Sequence, residues 1–302
     1  MLTYHPLLET FVGLGLGECA IGRALGRTEG SQHYVLPPPA RMAAAIERIP
    51  VVSQNFFPPP REQLLALRPD FLLAYGEHDY GDTNEGLATL QELEDAGVQA
   101  YAVVRPGTKG VGKYDQESLS DTYRTILDLG QIFGVSGLAQ RRVARMQRQI
   151  DVVRRRLSGR PPVKVLACYP GRGEIEVAGG GIVSELLAAA GGENVFAAAP
   201  CFLDRSTAQV AANPVDAFVI FADATAARTG TLDGTIHAEF LFDTFPSMPA
   251  SEQRRAVVTA DQYLSPGGWR NASGVELLAR RLHPTAFTRP ATRDGRAGNP
   301  RL

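Results

Sequence analysis

Apolar positions along this chain switch between two periods. Short continuous apolar runs, the mark of buried strands, alternate with segments whose apolar residues recur every three or four positions, the mark of one-sided helices. The clearest case is 61–74. Leu64, Leu65 and Leu67 share one face of a short helix, while Arg61 and Glu62 stay on the outer side of its first turn. Pro60 suits a helix start and Pro69 cannot continue one. The run from Phe71 to Tyr75 then reads as a buried strand. Upstream, the pattern predicts a helix over 7–13 ended by Gly13, Gly15 and Gly17, a strand over 19–23, a helix over 41–49 and a strand from Val51. Downstream it predicts a helix over 83–96 closed by Gly97, then a strand over 98–104. Such alternation with short turns argues for a parallel sheet covered by helices.

The period then lengthens. A helix over 116–133 places Leu119, Tyr123, Ile126, Leu127 and Ile132 on one face, and Gly134 breaks it. A second helix over 137–157 carries Arg141, Arg142, Arg145, Arg148, Arg154, Arg155 and Arg156, so most of its circumference is expected in solvent. A helix polar nearly all round bridges domains, and the lack of interleaved aromatics argues against nucleic acid as its partner. After Arg160-Pro161-Pro162 the alternation resumes, with strands over 163–169 and 217–222 and helices over 182–190, 249–257 and 273–282. The expected fold class is α/β, with two Rossmann-like lobes joined by a single long helix and a ligand cleft between them. The expected divisions are an N-terminal lobe 1–134, a connecting helix 135–160, a C-terminal lobe 161–287 and a disordered tail 288–302. That tail is rich in Arg, Gly, Pro and Asn.

Composition narrows this only slightly. The chain has 302 residues, 44% apolar and 21% charged, enough to bury a sizeable core. A net charge of −1 supplies no global field to recruit nucleic acid or an acidic membrane. No apolar run approaches the roughly 18 residues of a membrane span. Cys19, Cys168 and Cys201 show no paired spacing and are expected to be small buried hydrophobes. Residues 1–6 lack a basic, then apolar, then small-residue export pattern.

Several phrases, in order over roughly 6–284, resemble class III substrate-binding proteins of ABC importers, the group that carries ferric siderophores, haem and cobalamin. They are Leu7-Leu8-Glu9 through Gly13-Leu14-Gly15; Glu62-Gln63-Leu64-Leu65-Ala66-Leu67-Arg68-Pro69-Asp70; and Asp128-Leu129-Gly130-Gln131-Ile132-Phe133-Gly134-Val135. Ala178-Gly179-Gly180-Gly181 with Glu185-Leu186-Leu187 and Gly191-Gly192-Glu193-Asn194-Val195 follows, then Leu264-Ser265-Pro266-Gly267 with 274–284. The resemblance implies a monomer that holds a bulky chelate between its lobes and presents it to a permease dimer. It implies a periplasmic or cell-surface location; the absent export pattern keeps as the alternative a cytoplasmic, non-transport descendant of the same fold that binds or modifies a chelate or tetrapyrrole. One carboxylate on each lobe would dock on the transporter: Glu62 stands at the first position, but Thr207 occupies the second, with Asp204 nearby.

Cleft residues in such folds come from loops at the carboxyl ends of strands. Tyr75, His78 and Tyr80 follow one strand, and Arg105 and Lys109 the next. Tyr169 and Arg172 follow a strand of the second lobe, where Gly179, Gly180 and Gly181 could offer backbone N–H groups to an anionic oxygen. The resemblance places Trp269 and Arg270 on a cleft-facing loop, as a stacking and cationic pair. The tyrosines and tryptophan would stack on the chelate, and the cations would neutralise it. No catalytic residue, cofactor or resident metal is expected: the serines lack a nucleophile elbow, and the five histidines lack metal-binding spacing.

Overall fold

The computed structural model describes residues 5–24, 39–54, 58–76, 86–103, 117–170, 175–200, 203–221 and 235–288. The chain opens with α1 (His5–Gly13), whose Leu7, Leu8, Phe11 and Val12 are buried. Gly15, at φ +78°, turns the chain out of α1. The expected strand at 19–23 is instead a 3-10 turn, Gly17–Cys19, followed by the two-residue β1 (Arg23–Ala24). Then come α2 (Ala40–Glu47), β2 (Val51–Ser53), α3 (Arg61–Ala66), β3 (Phe71–Ala74), α4 (Leu90–Asp95) and β4 (Gln99–Ala102). β1 pairs in parallel with β2, and β3 with β4, Phe71 lying opposite Gln99. α4 is shorter than the predicted helix because Thr89 caps it: its hydroxyl accepts from the Glu92 N–H while the Glu92 carboxylate accepts from the Thr89 N–H.

Two long helices follow. α5 (Leu119–Ile132) is capped by Ser118 and Asp121 in the same reciprocal way. α6 (Ser136–Leu157) folds back after Gly134, at φ +70°. The helices meet closely at Gly130, where a Cβ would come within 2.4 Å of the Ala139 side chain. α6 is not polar all round. Ala139, Val143, Met146, Ile150, Val153 and Leu157 form a buried stripe at helical spacing, which seven arginines obscure in the sequence.

The C-terminal lobe is built on β5 (Val163–Pro170). Around it lie β6 (Ile175–Val177), α7 (Gly181–Ala189), β7 (Gly192–Asn194), β8 (Leu203–Arg205), α8 (Thr207–Ala211) and β9 (Ala217–Phe221). α9 (Thr235–Thr244), α10 (Pro249–Glu252), β10 (Ala256–Thr259), α11 (Asn271–Leu282) and α12 (Pro284–Phe287) complete it. The sheet runs β10-β9-β5-β6-β8, with β7 beside the first half of β5. β9, β10 and β7 are parallel to their neighbours; β6 and β8 are antiparallel. The predicted helix over 249–257 ends at Glu252, because Arg254 takes φ 48° and Val257 enters β10 opposite Val219. One hydrophobic cluster runs from Leu7 and Phe11 through Val143 and Met146 to Val165, Val219 and Leu278. Two satellites, around Leu64, Leu72 and Leu93 and around Phe218, Phe242 and Phe245, cover the other sheet faces.

Candidate functional site

The loop after β10 is stitched to α1 and α5 by buried polar groups. Glu9, fully buried on α1, accepts both guanidinium bonds of Arg270, at 2.5 Å each, and the indole N–H of Trp269 at 3.2 Å. Thr10 donates its hydroxyl to the Gly267 carbonyl at 2.7 Å and accepts from the Trp269 N–H at 3.2 Å. From α5, Thr122 accepts from the Gly267 N–H at 3.1 Å and donates to Asn271 Oδ1 at 3.2 Å. Asn271 in turn donates to the carbonyls of Tyr263 and Ser265. Burial raises the Glu9 carboxyl above its ordinary value, against the opposing pull of Arg270 and Trp269.

The Trp269 ring completes this seam. It is 7% exposed and packs so closely on Gly13 that a Cβ there would lie 2.8 Å from the ring. The Arg142 guanidinium lies 3.6 Å from the ring centroid and that of Arg41 lies 5.4 Å away. Burial, with Arg41 and Arg145 adding repulsion, brings Arg142 down to about 10. The structure therefore gives Trp269 and Arg270, expected to face a chelate, partners within the chain. Sequence reasoning missed Glu9, Thr10, Thr122 and Asn271. The available signal was Glu9-Thr10, a polar pair set between Leu8 and Phe11 in an otherwise apolar helix.

At the strand ends, Tyr75 follows β3 and Tyr169 is the penultimate residue of β5, and both are buried. Tyr169 stacks on Phe221, at the end of β9, with centroids 4.7 Å apart. His78, Tyr80, Arg105, Lys109 and Arg172 lie outside the described residues, as do Cys201 and 289–302. The glycine loop before α7 is a packed turn. The Gly180 N–H donates to the Ala199 carbonyl at 2.8 Å, and the Gly179 carbonyl accepts from Ser184 and Asn194. A Cβ on Gly179 would come within 2.2 Å of the Ala199 carbonyl oxygen.

Glu62 projects from the first turn of α3, exposed and without an ion pair among the described residues. Thr207 opens α8, also exposed, after the cap Ser206; Asp204 is exposed on β8. Cys19 is exposed, contrary to expectation, because the 3-10 turn carries it to the surface; Cys168 is buried on β5. His283 bonds the Gly191 carbonyl at 2.9 Å and holds the turn into β7. Among the described residues, no three His, Cys, Asp or Glu side chains are placed to hold a metal ion. No helix there is long and apolar enough to cross a membrane.

This two-lobed architecture recurs in solved structures. A periplasmic binding protein from Veillonella parvula superposes with a TM-score of 0.79 at 19% identity, over 94% of this chain and 90% of its own. A periplasmic haem-binding protein from a Roseiflexus species gives 0.67 at 22%, covering 94% and 97%. An ABC-type Fe3+-hydroxamate transport protein from Saccharomonospora viridis gives 0.66 at 19%, covering 95% and 92%. No protein-family model and no curated protein sequence matches the chain. The chain has the fold of periplasmic binding proteins of ABC transporters.

Proposed function

We propose that this protein is the substrate-binding component of an ABC importer, holding a ferric siderophore or similarly bulky metal chelate between its lobes without chemistry. The observation that carries this reading is the extent of the fold match. It spans 94–95% of the chain, so both lobes and the connecting helix are included, and neighbours with that fold bind haem or belong to ferric hydroxamate transport. In this reading the protein works outside the cytoplasm as a monomer and delivers its cargo to a permease dimer. Tyr75 would line one wall and Tyr169 the other; His78, Tyr80, Arg105, Lys109 and Arg172, read with them from the sequence, lie outside the described residues. Their support is position: Tyr75 and Tyr169 stand at the carboxyl ends of β3 and β5, where ligands bind in open α/β folds. Trp269 and Arg270 act as a brace between the lobes, because their polar atoms already bond Glu9.

Calorimetric titration of the full chain with haem, cobalamin and ferric hydroxamate and catecholate siderophores tests this. Saturable 1:1 binding of at least one is expected, and no binding of any would overturn the reading. One observation favours a cytoplasmic, non-transport descendant instead: α8 has no acidic residue in its first turn. A product found only in the cytosol on cell fractionation would decide for that alternative.

A further inference from the structure

The outer side of α6 serves no visible structural purpose. Its buried stripe accounts for its place in the fold, yet the helix carries seven arginines against one acid, Asp151, in 22 residues. Leu138, Arg141, Arg145, Arg148, Val152 and Arg155 follow one another at steps of three or four, so they share one line along the helix. Every one of them is exposed, Val152 at 52%. The line from Arg141 to Arg155 is about 21 Å long. Among the described residues none of its four arginines enters an ion pair. The acid that α11 turns towards α6, Glu276, is engaged by Gln149 and Arg280. Like charges at these spacings disfavour the helix, and ordinary surfaces intersperse the two signs. The chain's net charge of −1 conceals this ridge by averaging it with acids elsewhere.

We infer that this ridge is a contact surface for anionic phospholipid. Guanidinium groups match phosphate geometry with two bonds each. A straight row of them meets a planar array of headgroups along its whole length. Leu138 and Val152, exposed in the same row, are the kind of aliphatic side chain that enters the headgroup boundary beside basic residues. Leu127 and Ile132, on the packed neighbour α5, are also exposed, so four of the nine exposed large hydrophobics among the described residues belong to this helical pair. The row contains no aromatic side chain to stack on bases, which separates it from a single-stranded nucleic acid site. The inference is independent of the cargo, since every residue it uses lies on the connecting helix or its neighbour.

Flotation of the full chain with phosphatidylglycerol–phosphatidylcholine vesicles, against pure phosphatidylcholine, tests it. Association with the anionic vesicles is expected at low salt and should fade at high salt. Each arginine should be worth about fivefold in partitioning. The variant Arg141→Gln/Arg145→Gln/Arg148→Gln/Arg155→Gln should therefore lose binding by about several hundredfold. The same four positions changed to Lys should bind between the parent and the Gln variant, because the charge is kept and the two-bond fork is lost, with thermal unfolding of both variants near that of the parent. Equal partitioning into neutral vesicles, or undiminished binding by the Gln variant, would overturn the inference. So would tight retention on duplex DNA without vesicle binding.

Discussion

Glu9 and Glu62 both belong to helices of the N-terminal lobe, and they are used in opposite ways. Glu9 is wholly buried, with both carboxylate oxygens engaged by Arg270 and Trp269, 260 residues away along the chain. Glu62 is exposed on α3 and touches no cation among the described residues. The first joins two distant parts of the chain in one rigid seam. The second makes no ion pair among the described residues, as the docking role proposed for it requires. The contrast teaches that a carboxylate's task follows from its desolvation: a buried one must be paired and so becomes structure, while an exposed one costs nothing to leave available.

The largest break in this comparison is expected at Glu9. Glu9→Ala takes the carboxylate from Arg270, whose side chain is only 12% exposed, and should cost about 3–5 kcal/mol in denaturant unfolding. A cost under about 1 kcal/mol, the range of surface pairs, would show that the seam is not a brace. Glu9 also predicts a pH signature. Its native carboxyl is raised above the ordinary 4.5, so the folded chain keeps a proton that the unfolded chain releases. That contribution is complete below about 4.5 and is lost as pH rises through the native value. The stability of the parent relative to Glu9→Gln should therefore fall over that window. Glu276, lowered by Arg280, slopes the other way, and the difference between the two proteins cancels it.

A smaller break is expected on the α5 side of the seam. Thr122→Val keeps the shape but removes the acceptor for the Gly267 N–H and the donor to Asn271. Leaving those buried groups unsatisfied should cost about 2 kcal/mol. Coupling to Glu9→Ala in a double-mutant cycle measures whether the seam acts as one unit. Strict additivity would divide it into two independent contacts.

The two glutamates were also unequally legible. α3 was readable because its signals are local: Pro60, the leucine spacing and Pro69 all act within a few residues. Glu9 was not, because its partners come from the far end of the chain and nothing nearby announces them. α6 shows the same limit. Its period was plain, but the arginines hid the buried stripe, which only the packing of α5 and α11 against it reveals. The break at Arg254 was illegible for a different reason. A left-handed arginine is set by the pairing of β10 with β9, and short apolar segments do not distinguish helix end from strand start. Of the candidate site, Tyr75 and Tyr169 stand at strand ends as read, since strand boundaries are local; the bonds of Trp269 and Arg270 to Glu9 were not legible, since burial and distant partners are not local.

The smallest effect on the protein itself, and the sharpest on the contrast, belongs to Glu62. Glu62→Ala removes an exposed charge and should change stability by no more than about 0.5 kcal/mol. Chelate affinity should stay the same, because Glu62 lies in the first turn of α3, whereas the proposed ligand contact Tyr75 follows β3 at its carboxyl end. What should change is the association rate with the reconstituted permease, slowed several-fold at low salt and converging with the parent at high salt, as expected for charge steering. Thr207→Glu makes the reciprocal change. It adds a carboxylate to the first turn of α8, where the helix dipole favours it, and should speed association under the same conditions. If Glu62→Ala instead weakened chelate binding as much as docking, Glu62 would belong to recognition. The division between a buried structural carboxylate and an exposed docking one would then fail at its exposed end.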